Sequence, residues 1–514
     1  MDYQFKTKPF DHQLKVFELQ KLKRIFAILA DMGTGKTKIA LDTAAYQYTR
    51  GFINCVIVIA PNGVHRNWLS RELPAHMPDY IDVLSAYWKS TPLKKEREAL
   101  EALVTTQGEY LRIFTINYES LVTKKKRALI YIKKLMTYFK CMIILDESHR
   151  IKTPGAKRTK VIQTLSRHPN VVSKRILTGT AILQGPLDAY SQFKFLDPEI
   201  FGHQTFTSFK NYYAKWEKRV LRNKTWTSGK NKGKPMTFNQ LVSFQNIDEL
   251  AERMSKYSFR IRKEDCLDLP DKIFIQRPVI LDPNQRRMYD QMLETSIASI
   301  DPQHALHYDG PEDLLIALIT GQEKDNTVSA SMAMTRILRL QQIIGGYPKN
   351  EAGNFVEIST TRLKELRELI DDIGNESLII WSRFRPELEA IEQTLREKFG
   401  VDQVVSYHGG VKSEDRERSI DRFQSKQARF FVANPQSAAT GLTLTAASYV
   451  CYYSNSFNLE HRLQSEDRAH RIGQKNNVTY IDIIAEDTID SKIADVLTAK
   501  GRMASEIMDK IQGL

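Results

Sequence analysis

The apolar run from Ile25 to Ala30 breaks into DMGTGKT, Asp31 to Thr37, and then into KTKIALDTAAYQY, whose apolar positions recur at helical spacing. This order predicts a buried strand, a glycine-rich turn and a helix, the opening unit of a parallel α/β sheet. Backbone N–H groups of such a turn and of the helix N-terminus face whatever binds there, and they suit a polyphosphate. Ala30-x4-Gly35-Lys36-Thr37 fits the phosphate-loop pattern, with Ala in place of the first Gly. Lys36 is expected to neutralise the β/γ oxygens, Thr37 to hold Mg²⁺, and Gly33, Thr34 and Gly35 to line the phosphates of ATP.

Two further apolar runs are bounded sharply: CVIVIA, Cys55 to Ala60, stops at Pro61, and CMIIL, Cys141 to Leu145, stops at Asp146. Continuous runs of this kind suit central parallel strands covered on both faces. Polar residues that follow them fall on the carboxyl edge of the sheet, where open α/β sheets bind ligands. Asp146 is thereby expected to reach Mg²⁺ through water, and Glu147 to polarise the attacking water. Taken alone, the DES triplet could equally be a helix cap; the phosphate loop upstream favours the catalytic assignment. His149 is left between a coupling role and a surface position.

The strand rhythm returns at Leu378 to Trp381, Val404 and Val405, Arg429 to Ala433, Tyr449 to Tyr453 and Val478 to Ile484. A second α/β domain is therefore expected at 355–514, after a first at 1–198. Residues 199–354 between them read as helical insertions and a linker. Glu199 to Leu267 shows no strand rhythm, Pro283 to Ile300 and Ser329 to Ile344 read as helices, and Asp301 to Asn326 reads as a loop holding His304 and His307.

A chain of 514 residues is long enough for two or three cores, and no apolar run approaches the ~20 residues of a membrane span. Met1 to Phe10 is too polar for a secretory segment, so a cytoplasmic, non-secreted protein is expected. The four cysteines stand singly, which suggests neither a disulfide framework nor a zinc site. A net charge of +14 favours a polyanionic partner. Basic residues concentrate from Lys210 to Lys234, including Lys215, Lys218 and Arg222, interleaved with Tyr212, Tyr213, Trp216 and Trp226. These could track phosphates while the aromatics stack. A helical insertion with a solvated basic face and a Gly/Lys loop at its tip accounts for them as well, and both readings stay open.

Near the C-terminus, HRLQSEDRAHRIGQ (His461 to Gln474) places Arg468 and Arg471 one turn apart on an expected helix. Such a pair can span a γ-phosphate and stabilise transition-state charge. A solvated basic face is the alternative. Gln464 and Gln474 in the same segment, and the preceding SAATGLTLTAAS with Gly441 in a turn suited to phosphate contact, favour the first.

With these motifs in order, LTGTAILQG (Leu177 to Gly185), RIRKEDCLDLPDK (Arg260 to Lys272) and EDRAHRIGQ resemble the Swi/Snf-like branch of superfamily-two helicase-fold ATPases. The resemblance covers nearly the whole chain. It implies two RecA-like parallel-sheet lobes in tandem, with Gln13 contacting adenine, and nucleic-acid contact at Asn117 in TINYE and at His408 in YHGG. WSRF, Trp381 to Phe384, is similar to the start of that family's second-lobe motifs. The activity implied is ATP-dependent translocation on duplex DNA, with Arg468 and Arg471 reaching the γ-phosphate when the lobes close. A strand-separating helicase on DNA or RNA and an ATP-switched nucleic-acid-binding adaptor are the rivals. Ala181 stands where the family usually has Pro, and Gly185 and Thr443 where Asn is common. No bromodomain, chromodomain or zinc finger is recognisable, so a bare motor is expected, a compact bacterial or viral member, nucleoid-associated or in an infected bacterial cell.

Overall fold

Strands that are apolar on both sides form where both sides are covered, and the computed structural model of the chain places them so. It describes residues 3–62, 64–183, 185–225, 235–298, 330–350, 352–440 and 442–511. The chain divides into two units, one of residues 1–213, 246–268 and 502–514, the other of 214–245 and 269–501.

The first unit opens with β1 (Ile25–Ala30), β2 (Cys55–Ala60), β3 (Val83–Tyr87), β4 (Leu111–Asn117), β5 (Cys141–Asp146) and β6 (Val171–Thr178). An antiparallel hairpin that belongs to the second unit, β7 (Ala214–Thr225) with β8 (Pro235–Phe244), intervenes in the chain before β9 (Ser258–Ile261). The sheet order is β3-β4-β2-β5-β6-β1-β9, all neighbours parallel. Alternation sorts the central strands onto two buried faces: Ile57, Ile59, Ile143 and Leu145 on one, Val56, Val58, Met142 and Ile144 on the other. Ile507, Met508 and Ile511 join the first of these clusters. They are held there by Arg260, which donates to Asp509 Oδ1 at 2.5 Å, and by Lys510, paired with Asp248 at 2.6 Å.

The second unit carries β10 (Lys272–Val279), β11 (Leu378–Trp381), β12 (Val404–Tyr407), β13 (Phe430–Ala433), β14 (Tyr449–Tyr452) and β15 (Val478–Ala485). Their order is β10-β15-β14-β11-β13-β12, again all parallel. Its faces are filled by Ile380, Leu388, Ile391 and Phe430 on one side and by Ile379, Trp381, Phe431 and Tyr452 on the other.

The two parallel-sheet lobes are those the sequence leads one to expect, but the middle of the chain differs from its reading as helical insertions. It supplies β9 to the edge of the first sheet, β10 to the edge of the second, and the β7–β8 hairpin where a basic helix is the alternative reading. Edge strands bury one side incompletely, so β9 and β10 lack the continuous apolar signature of central strands. The hairpin opposes Trp216 to Leu241 and Val220 to Thr237, aromatic and β-branched types that favour strands. The loop 301–326, with His304 and His307, lies outside the described residues, as do 226–234 at the end of the hairpin. Among the described residues, no helix is long and apolar enough to cross a membrane.

Candidate nucleotide site

The chain leaves β1 at Ala30 and enters helix α2 (Lys36–Thr49) through Gly33 and Gly35, at φ +85° and +89°. These left-handed conformations are open to glycine at little cost. The N-cap of α2 is Gly35, which makes no side-chain cap to the first-turn amides. Lys36 Nζ donates to the Ala30 and Asp31 carbonyls at 2.7 and 3.2 Å. The Thr34 carbonyl is turned the other way, toward helix α1 (Asp11–Gln20), where it accepts from Gln13 Nε2 at 3.2 Å and lies 2.9 Å from His12 Nε2. Gln13 Oε1 in turn accepts from the Phe10 amide at 3.1 Å. The glutamine that the resemblance assigns to adenine contact thus also ties the helix start to the phosphate loop.

Asp146 ends β5 on the same carboxyl edge and is buried. Burial and the neighbouring Glu147 charge push its carboxyl up to about 6, while a hydrogen bond from Trp68 and the charge of Lys36 pull it down. β1 and β5 both pair in parallel with β6, so Asp146 and the turn that follows Ala30 lie at the same edge of the sheet. Glu147 sits at φ +53°, a strained conformation for a residue with a Cβ. Its Oε2 lies 3.4 Å from His149 Nδ1, which is also 3.2 Å from Thr178 Oγ1 at the end of β6. His149 is buried, which removes the surface alternative. Gly179 follows, so close to the phosphate loop that a Cβ would meet the Ala30 carbonyl at 3.2 Å.

Among the described residues, no cluster of three or more His, Cys, Asp and Glu could hold a metal by itself. The arrangement nevertheless fits a magnesium polyphosphate. Amides and an ammonium meet anionic oxygens, and Mg²⁺, which keeps most of its waters, needs only one or two carboxylates beside substrate oxygens. Thr37 and Asp146 are the residues that would hold it.

Sequence reasoning missed three buried supports. Trp68 Nε1 donates to Asp146 Oδ2 at 2.9 Å, and the Tyr118 hydroxyl donates to the Asp146 carbonyl at 2.8 Å. Arg175, fully buried, donates to the Gln20 and Lys23 carbonyls at 3.0 and 2.7 Å and so fixes the end of α1. Burial pushes its guanidinium down to about 9. Only the position of Tyr118 directly after Asn117 could have hinted at any of them.

In the second unit the helix Leu459–Ala469 carries Arg468, but Arg471 lies beyond its end, which corrects the expectation of two arginines on one helix. His470 leaves the helical conformation, with ψ 83°, and Gly473 turns the chain at φ +100°. Both arginines still converge, donating from Nη1 to the Leu442 carbonyl at 3.4 and 3.1 Å. Gln474 clamps the same turn through the Ala447 carbonyl at 2.9 Å. Gly441 lies outside the described residues. Arg462 of the same run is committed to structure: it grips Asp482 at 2.5 and 2.9 Å and lies 3.7 Å from the Tyr452 ring centre.

The nucleic-acid candidates fare differently. Asn117 is half-buried at the end of β4, bonded to Asn62 at 3.2 Å and to the Ser120 amide at 3.0 Å. His408 is buried rather than presented to a ligand. Its Nε2 lies 3.1 Å from Glu392 Oε1, and its Nδ1 accepts from the Gly410 amide at 3.2 Å, so it shapes the loop while Gly409 and Gly410 are exposed. Lys215 is exposed on β7; Lys218 and Arg222 follow it on the same strand by backbone position.

Residues 16–344 match the family model described as SNF2-related domain, and residues 361–473 match the helicase conserved C-terminal domain. The chain belongs to the SNF2-related family. This SNF2-related chain is similar to an "Uncharacterized ATP-dependent helicase" of Mycoplasma pneumoniae, 25% identical over 94% of the chain and 40% of that protein. It is also similar to the "Putative ATP-dependent helicase/translocase YwqA" of Bacillus subtilis, 24% identical over 93% of the chain and 46% of that protein. The SNF2-related chain spans less than half the length of these two curated relatives. Among solved structures it resembles the "Sulfolobus solfataricus SWI2/SNF2 ATPase core in complex with dsDNA", 21% identical, covering 100% of this chain and 95% of that one, with a TM-score of 0.39.

Proposed function

We propose that the chain is a motor that hydrolyses ATP and uses the cycle to move along duplex DNA. The observation that carries this is the convergence, on one sheet edge of the first unit, of the uncapped α2 N-terminus with Lys36 and of the Asp146–Glu147 pair. Family membership and the ATP-dependent helicases and translocases among its relatives support it.

In this reading the amides of Gly35, Lys36 and Thr37 and the Lys36 ammonium hold the β and γ oxygens, and Gln13 orients the base. Thr37 and Asp146 would hold magnesium, which when bound would supply neutralisation of phosphate charge. Glu147 orients the attacking water and takes its proton at a carboxylate oxygen. His149 holds Glu147 in that orientation. We assign Arg468 and Arg471 the stabilisation of charge on the transferred phosphoryl group. Asn117 and the basic strand of the hairpin are the assigned DNA contacts, and the +14 charge favours that partner. Such a motor would work in the cytoplasm, with the nucleoid or with viral DNA.

Steady-state ATPase with duplex DNA, single-stranded DNA and RNA, beside Lys36→Ala and Glu147→Gln, tests the reading. Duplex should stimulate most, Lys36→Ala should abolish turnover, and Glu147→Gln should bind ATP but hydrolyse it severely slowly. Triplex displacement without unwinding marks a translocase, and unwinding marks a helicase. ATP binding with no nucleic-acid-stimulated turnover marks an adaptor and ends the motor reading.

A further inference from the structure

Asp146 is gripped from both faces of its sheet. On the face of Val56, Val58 and Ile144, Trp68 is 1% exposed and its indole N–H reaches Asp146 Oδ2 at 2.9 Å. On the face of Ile57, Ile59 and Leu145, Tyr118 is fully buried and its hydroxyl reaches the Asp146 main-chain oxygen at 2.8 Å. An indole has one donor and no acceptor, so a buried indole aimed at a carboxylate fixes that carboxylate's rotation.

Neither aromatic belongs to a strand. Trp68 opens the π-helical stretch Trp68–Glu72, which follows β2 by way of Pro61, Asn62 and the short helix Val64–Asn67. A π-helical turn is rare and frequently found at functional sites. Tyr118 opens the 3-10 stretch Tyr118–Val122 directly after β4. The two connections are joined where they begin, because Asn117 Nδ2 donates to Asn62 Oδ1 at 3.2 Å. Asn62 is exposed and Asn117 half-buried, so the outer ends of both connections meet solvent while the inner ends hold Asp146.

We propose that Trp68 is a positioning residue for the magnesium-holding carboxylate, with Tyr118 fixing the main chain beneath it. The connections after β2 and β4 thereby transmit contact at Asn62 and Asn117 to the hydrolytic site. This rests on the nucleotide reading above. A displacement of the joined asparagines moves the two short helical stretches behind them, and with these the two donors on Asp146.

Trp68→Phe and Tyr118→Phe each keep a ring in the core and delete one donor. The primary readout is the Mg²⁺ concentration that half-saturates binding of a fluorescent ATP analogue; kcat and KM with and without duplex are the second. In Trp68→Phe the half-saturating Mg²⁺ should rise roughly tenfold, the usual scale for losing an outer-shell partner of a metal ligand. The stimulation of kcat by duplex should fall while KM for duplex stays within about twofold, a split that simple loss of core packing does not produce. Tyr118→Phe should shift both in the same direction by less. A folded Trp68→Phe with wild-type Mg²⁺ dependence and stimulation overturns the proposal. If that variant does not fold, Tyr118→Phe decides by the same two readouts. Failure of the nucleotide reading is distinct, since the unsubstituted protein would then fail to bind the analogue or bind it without any Mg²⁺ dependence.

Discussion

A Cβ built on Gly35 would lie 2.2 Å from Gln13 Nε2, so helix α1 rests directly on the phosphate loop. Gly35→Ala therefore meets two penalties, the steric one and a φ of +89° that costs an L-residue roughly 1–2 kcal/mol. Its nucleotide affinity should fall more than about tenfold, beyond the effect of that strain alone on stability. Gln13→Ala removes the obstructing amide together with the assigned base contact, so the double variant should bind more weakly than Gln13→Ala alone, by the cost of the left-handed turn. Calorimetric ATP titration of both single variants and the double variant checks this, and a double variant equal to Gln13→Ala would show that the left-handed turn is unimportant.

Asp146 makes stability depend on pH in a direction opposite to most carboxylates. Its folded value, about 6, lies above the ordinary aspartate value of about 4, so across that window the folded chain holds a proton that the unfolded chain has released. Stability of the nucleotide-free protein should fall as pH rises from about 4 through about 6. Asp146→Asn should match wild type near pH 4 and exceed it at pH 7 by on the order of 2 kcal/mol in denaturant unfolding. Mg²⁺ competes with the same proton. The unfolding-temperature gain given by Mg-ADP should therefore grow between pH 5.5 and 7.5 in wild type and be small throughout in Asp146→Asn.

Arg468 and Arg471 share the Leu442 carbonyl as acceptor although only one of them is helical. Each replaced by Ala should leave ATP and duplex affinity largely intact. Duplex-stimulated turnover should drop by on the order of 10³ or more, the scale of arginine fingers. Near-native stimulation in both variants, measured at saturating duplex, would remove the assigned role.

Contact between the hairpin and duplex would be electrostatic. Gln at Lys215, Lys218 and Arg222 should weaken duplex binding and lower the log–log salt slope by about one for each phosphate no longer neutralised. A slope equal to wild type would mean that β7 carries a solvated charged strand and nothing more.

Much of the first unit was legible because its determinants are local. IFAILA and CVIVIA are apolar on both faces, which suits central parallel strands, and a Gly-x-Gly turn followed by Lys36 and a helical repeat fits the strand–turn–helix order found at the end of the first. Parallel strands then place Asp146 and Glu147 on the same edge. The lobes' edges and the hairpin were not legible. β9 is a four-residue, part-buried strand and β10 a mostly exposed one, their pairing with β1 and β15 decided by distant segments, and a basic stretch with aromatics reads alike as helix or strand until its cross-strand partners are known.

The sequence by itself determined the central strands and the polar residue types, Lys36, Thr37, Asp146 and Glu147, that follow their carboxyl ends. Tertiary structure alone decided how they are held. Trp68 reaches Asp146 across 78 positions and Arg175 reaches Gln20 across 155, contacts made by burial and by the order of strands in the sheet. It also turned His408 inward to Glu392, and kept Arg468 and Arg471 together after the helix had ended. A hydrogen bond between distant residues leaves no periodicity in the chain, because it depends on where the sheet brings two strand ends together and on the cost of leaving a buried donor unpaired.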